Sequence, residues 1–69
     1  MSPGEYLRSK RKAKGMKLLY VSAAIGLTEQ RISEHELDQG FPHLKKLAKL
    51  QELYGFDMNE FMEIVRRVA

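Results

Sequence analysis

The chain contains no cysteine. Disulfide staples and cysteine-based metal clips are thereby excluded, and two histidines without ligand spacing give no reason to expect a metal. No glycine-rich stretch has the spacing of a phosphate cradle, and the carboxylates lack a pocket that would perturb them, so neither an enzyme nor a cofactor is expected. Apolar runs are short. None reaches the length that crosses a bilayer, and the opening MSPGEYLRSKRKAKG is polar where the apolar stretch of a secretory leader would fall. The expectation is a soluble protein of a reducing compartment, the cytoplasm. Membrane-surface binding is not expected either, because the basic arm has little apolar bulk opposite it. Strand-like alternation, internal repeats and low-complexity tracts are missing too.

What is present fits one small domain over residues 1–69. A chain of this size hides only about 60% of its unfolded surface, so regular helix packing, helped by self-association, must supply the stability. The formal charge of +3 is unevenly spread. Residues 1–17 hold six Lys/Arg against Glu5, giving +5; residues 18–43 hold Arg31 against four acids, giving −3; the remainder holds five against four, giving +1. A basic cluster such as RSKRKAKGMK suits either a partner with patterned charge or a solvated helix face.

Five helices are legible. Ser2 and Pro3 open the first, over residues 3–14, which Gly15 stops. LLYVSAAI, from Leu18, forms a short second helix on Val21, Ala24 and Ile25, ended by Gly26. Lys17 stands where serine or threonine would cap it, weakening its start by about 1 kcal/mol. Thr28 caps the third, which Gln39-Gly40 closes; Ile32, His35 and Glu36 fall on one side and Glu29, Gln30, Ser33 and Leu37 on the other. After Pro42 and His43, a helix-entry residue, Leu44, Leu47, Leu50, Leu53 and Tyr54 mark a buried stripe up to Gly55. Asp57 and Glu60 read as an acidic capping box for a fifth helix, about 57–68, with Met58, Phe61, Met62, Val65 and Val68 as its apolar members.

Two short helices around a glycine turn, with the second capped by threonine, make a helix-turn-helix at residues 18–37 whose second helix can enter a major groove. The order RKAKGM, VSAAIG, LTEQRISEHE and GFP, followed by a leucine-striped helix, resembles the lambda-repressor-like (Cro/C1, XRE-type) helix-turn-helix family of bacteria and phages, over residues 5 to about 62. The resemblance implies an all-α, five-helix DNA-binding domain and a repressor or Cro-like regulator. By it, Arg11 and Glu36 form an internal ion pair, and Glu29, Gln30, Ser33 and Glu34 read bases. Gln30 suits adenine, a glutamate can accept from the amino group of cytosine, and Ser33 can bond to several bases. Arg8, Lys10, Lys14, Lys17, Thr28 and Arg31 match phosphate contacts, and Phe61, Met62, Val65 and Val68 a homodimer interface. The partner implied is double-stranded DNA with a palindromic operator.

Three departures stand out. Leu18, Leu19 and Tyr20 are apolar where the family is polar, so one is expected to fold inward, and two left outside would form a patch for a protein partner. Two carboxylates, Glu29 and Glu34, sit on a surface meant for a polyanion. His35 takes the place of a large apolar residue and is expected to be a hydrogen-bonded core residue. The alternative function is therefore a protein-interaction module using Leu18, Leu19, Tyr20 and the acidic third helix.

Overall fold

The computed structural model describes residues 1–68. It contains five helices in the order α1 (Pro3–Ala13), α2 (Leu18–Ile25), α3 (Glu29–Glu36), α4 (Leu44–Tyr54) and α5 (Met58–Val68). No strand occurs among the described residues, so the architecture is all-α.

Local chemistry sets most of the boundaries. At α1 the Glu5 amide donates to Ser2 Oγ at 3.1 Å while the Ser2 amide donates to Glu5 Oε1 at 2.9 Å, a reciprocal cap that satisfies two otherwise orphaned donors. Gly26 ends α2 in the left-handed region at φ 75°, with its amide on the Ser22 carbonyl, and Gly55 ends α4 likewise at φ 71°. Lys17 makes no side-chain cap at the start of α2. Thr28 does cap α3, its Oγ1 accepting from the Arg31 amide at 3.1 Å.

The end of α3 departs from the expected closure at Gln39-Gly40. The helix stops at Glu36, and Asp38 adopts φ 60°. This bend carries the Asp38 carboxylate to the N-terminus of α1, where Oδ1 accepts from the Gly4 amide at 2.8 Å. A carboxylate at a helix N-terminus is favourably placed, which offsets the strain of a left-handed non-glycine residue. The approach is close enough that only glycine fits at position 4. A Cβ there would lie 2.5 Å from the His35 carbonyl oxygen and 2.6 Å from that of Glu36.

The core collects Tyr6 and Leu7 from α1, Val21 and Ile25 from α2, Ile32 from α3, Leu47, Leu50 and Tyr54 from α4, with Phe56 and Phe61. Tyr6 meets Phe56 edge to face at 5.5 Å between centroids, and Phe61 lies 5.5–5.6 Å from both. Such contacts add about 0.5–1.5 kcal/mol each beyond area burial.

Three expectations are corrected here. Leu44 is 81% exposed and lies outside the buried stripe, because it is the first residue of α4 and precedes the turn that touches the core. Phe61 is 0% exposed, a central core side chain that cannot reach a dimer partner. On the rest of α5, Met62 and Val68 are exposed, whereas Val65 is half-buried with Ile64 against the core. Asp57 and Glu60 form no capping box. Asp57 Oδ1 accepts from the Asn59 amide at 2.8 Å, while Glu60 Oε1 accepts instead from the Tyr6 hydroxyl at 2.6 Å.

Candidate nucleic-acid interface

The α2–turn–α3 unit is fastened from behind at three places. Arg11 Nε donates to Glu36 Oε2 at 2.7 Å and Nη2 to Oε1 at 3.0 Å, a two-pronged pair in which both residues are buried. Arg11 Nη1 donates to the Met16 carbonyl at 2.9 Å, so the guanidinium also holds the connection to α2. Within the unit, the Ser22 hydroxyl donates to the Leu27 carbonyl across the turn. From α4, Lys46 Nζ donates to the Ile25 carbonyl at 2.8 Å, a cation on the negative end of α2.

With its inner face fixed, α3 turns the other face outward. Ile32, His35 and Glu36 are buried; Glu29 and Gln30 are exposed, and Ser33 and Glu34 are half-buried. Among the described residues, no part of the chain closes over Glu29 and Gln30. Of the four acids between residues 18 and 43, two are already engaged internally, Glu36 by Arg11 and Asp38 by α1. Glu34 is shared along its own helix, 3.8 Å from Arg31 Nη1 and 3.5 Å from Gln30 Nε2. Glu29 makes no ion pair among the described residues.

The cations divide into two groups. Lys10 leans toward α5, with Nζ 3.8 Å from Glu60 Oε1 and 5.2 Å from the centre of the Tyr6 ring. Lys14 Nζ lies beside Gly55, at the end of α4. Arg8 instead lines a cleft with Leu18, Ser33 and Leu37, Lys17 precedes α2, and Arg31 is exposed on α3. Thr28 uses its hydroxyl oxygen as an acceptor in the cap, which leaves the hydroxyl hydrogen to donate outward.

The helix-turn-helix family profile matches residues 7–61. The chain belongs to the lambda-repressor-like, XRE-type helix-turn-helix family. At that level it is a DNA-binding regulator domain, a family that is not one of enzymes. No curated protein and no solved structure gave a match. No helix among the described residues is long and apolar enough to cross a membrane.

Against the helix-turn-helix frame, the apolar departures on α2 take definite positions. Leu18 is half-buried and packs on the core, whereas Leu19 is 68% exposed and Tyr20 57% exposed. Two of the three therefore stand outside. His35 is buried as expected, but its Nδ1 has no hydrogen-bond partner. Burial, and then the Arg31 charge, lower its pKa below the ordinary imidazole value. His43 occupies the N-cap of α4 without capping it by its side chain.

Two structural residues of the helix-turn-helix escaped sequence reasoning. Lys46 drew no reading from the sequence, since nothing in its spacing marks a contact 21 residues back. Asp38 fell inside the third helix as the sequence was read, although Asp is one of the few residues that tolerate a left-handed backbone, which was the available signal.

Proposed function

We propose that the protein is a sequence-specific, dimeric transcriptional regulator of the repressor or Cro-like kind, acting in the cytoplasm on a palindromic operator. α3 enters the major groove, Gln30 makes a bidentate contact to adenine, Glu29 accepts from the amino group of cytosine, and Ser33 bonds within the same step. Glu34, restrained by Gln30 and Arg31, orients the glutamine and reads beside it. Arg8, Lys17, Thr28 and Arg31 contact phosphates near the groove, with Lys10 and Lys14 contributing at longer range. Met62, Val65 and Val68 pair two copies so that their reading helices fall about one DNA turn apart.

The observation that carries this reading is the two-sidedness of α3, locked inward by the buried Arg11–Glu36 pair and uncovered outward along Glu29, Gln30 and Ser33. Selection of bound duplexes from a random library at fixed salt tests it. A palindromic consensus is expected, and Gln30→Ala should relax one position by about 1–3 kcal/mol of discrimination. Binding that stays at the non-specific level for every duplex would sink the reading.

A second reading, capture of another protein by Leu19, Tyr20 and the acidic α3, is favoured by the exposure of both side chains. The Glu29→Lys, Glu34→Lys double variant separates the two. It strengthens non-specific duplex binding if DNA is the ligand and abolishes partner capture if a protein is.

A further inference from the structure

Between α1, the first turn of α2 and the end of α3 lies a cleft of about 170 Å³, lined by Arg8, Arg11, Leu18, Ser33, Glu36 and Leu37. Arg11 and Glu36 neutralise each other there through two short bonds, so neither presents a net charge to a visitor. What the cleft offers is two leucine side chains, one serine hydroxyl and the Arg8 guanidinium, which forms no ion pair among the described residues. Leu18 is half-buried, and Leu37, just past the last turn of α3, is 59% exposed.

An arginine beside two leucines matches neither a bare phosphate nor a purely apolar molecule. It matches a ligand that carries an anion and a methyl group close together. A DNA strand presents that pairing at thymine, whose 5-methyl stands at the outer edge of the major groove near the backbone of its own strand and is the apolar group among the groove's donors and acceptors. Ser33, one of the outward residues of α3, lies in the same cleft, so a strand read by α3 passes its mouth.

We propose that Leu18 and Leu37 form a socket for the 5-methyl group of one thymine in each half-site, with Arg8 on the adjoining phosphate. The assignment rests on the DNA-binding reading above and names the base that its apolar departures select. It gives Leu18 a role in the polar groove: a methyl reader adds selectivity without adding charge to a surface that already carries Glu29 and Glu34.

The test uses the full chain and the half-site obtained by duplex selection. Each thymine is replaced in turn by deoxyuridine, which removes one methyl and leaves every hydrogen bond in place. At one thymine per half-site, affinity should fall about fourfold, the equivalent of ~0.8 kcal/mol for one buried methyl-sized group. In Leu37→Ala, whose thermal midpoint should match the parent because the side chain is exposed, the same replacement should have no effect. Leu18→Ala gives the same loss of methyl dependence, with its folding checked separately.

Selective binding that is indifferent to deoxyuridine at every position overturns the socket and leaves the DNA reading standing. A methyl effect that survives Leu37→Ala overturns the assignment to these residues. Absence of selective binding to any duplex overturns the socket and the DNA reading together. Should Leu37→Ala weaken association with a protein and leave duplex binding untouched, the cleft belongs to a protein contact and the proposal falls.

Discussion

Gly4 is the tightest point of the fold. Its α-carbon faces the carbonyl oxygens of His35 and Glu36 and the Asp38 carboxylate, backbone and capping groups that cannot swing aside. Gly4→Ala is therefore expected to destabilise by about 1–3 kcal/mol, as overpacking does when the neighbours are not flexible side chains. Urea unfolding midpoints read the change directly. His35 works in the opposite sense, since its Nδ1 is buried without a partner and the arrangement is tolerated rather than favoured. Replacement by leucine removes a polar atom from an apolar site and should raise stability at neutral pH by about 1–2 kcal/mol.

The same histidine gives a pH dependence. Facing it are Arg31 and Glu34 on its own helix, and His43 and Lys46 from the start of α4. Because the folded pKa is depressed, the unfolded chain takes up a proton that the folded one resists. Stability is thus fully present above the ordinary value of 6.5 and declines as pH falls below it. Among the carboxylates Glu5 is held below its ordinary 4.5 by the Ser2 bonds, so its loss lies lower still. Unfolding midpoints at pH 7.5 and pH 5 should differ for the parent chain and converge for His35→Leu; equal slopes in both proteins would refute the assignment.

Among the elements, the helix starts differ in how well they are made, and the poor one is α2. Ser2 and Thr28 cap their helices, whereas Lys17 leaves the first amides of α2 without a side-chain partner. Lys17→Ser should stabilise by about 0.5–1 kcal/mol through the new cap and weaken duplex binding by removing a cation. Opposite signs in stability and affinity would identify lysine as kept for its charge. Thr28→Ala, by contrast, should lower both.

Helix bounds were legible wherever a cap or a glycine punctuates the chain, as at Ser2, Gly26, Thr28 and Gly55. They were misread where a distant group decided the ending. α3 stops early because Asp38 is drawn to α1, a contact spanning 34 positions that no local pattern encodes. Glu60 left its own helix end for the Tyr6 hydroxyl, 54 positions away, for the same reason. Leu44 satisfied the spacing of the stripe but not its geometry, since periodicity gives a face and not how far along that face the core extends. The outward residues of α3 followed from helical geometry alone. The mutual neutralisation of Glu36 and Arg11 followed from the family resemblance.

At the scale of the whole molecule, charge is what decides how DNA is held. Lys10 lies 3.8 Å from Glu60 and Lys14 beside Gly55, whereas Arg8 shares a cleft with Ser33, Arg31 stands exposed on α3 and Lys17 occupies the N-cap of α2. Under the proposed function Arg8, Lys17 and Arg31 would meet three phosphates per protomer, six in a dimer, which predicts a slope of roughly −5 in the logarithm of affinity against that of salt. That is a modest electrostatic anchor, and two glutamates reduce it further, so selective binding by a lone protomer would be weak and a second copy matters. Met62 and Val68 are the exposed apolar side chains of α5, and Phe61 is sealed in the core. Met62→Lys with Val68→Glu should therefore leave the thermal midpoint of a dilute sample near the parent value while halving the mass measured at high concentration. Binding to the full palindrome should then weaken to that of one half-site and the salt slope fall by about half. An unchanged mass in that variant would move the pairing surface off α5, and the exposed face of α2 at Leu19 and Tyr20 would be the next place to seek it.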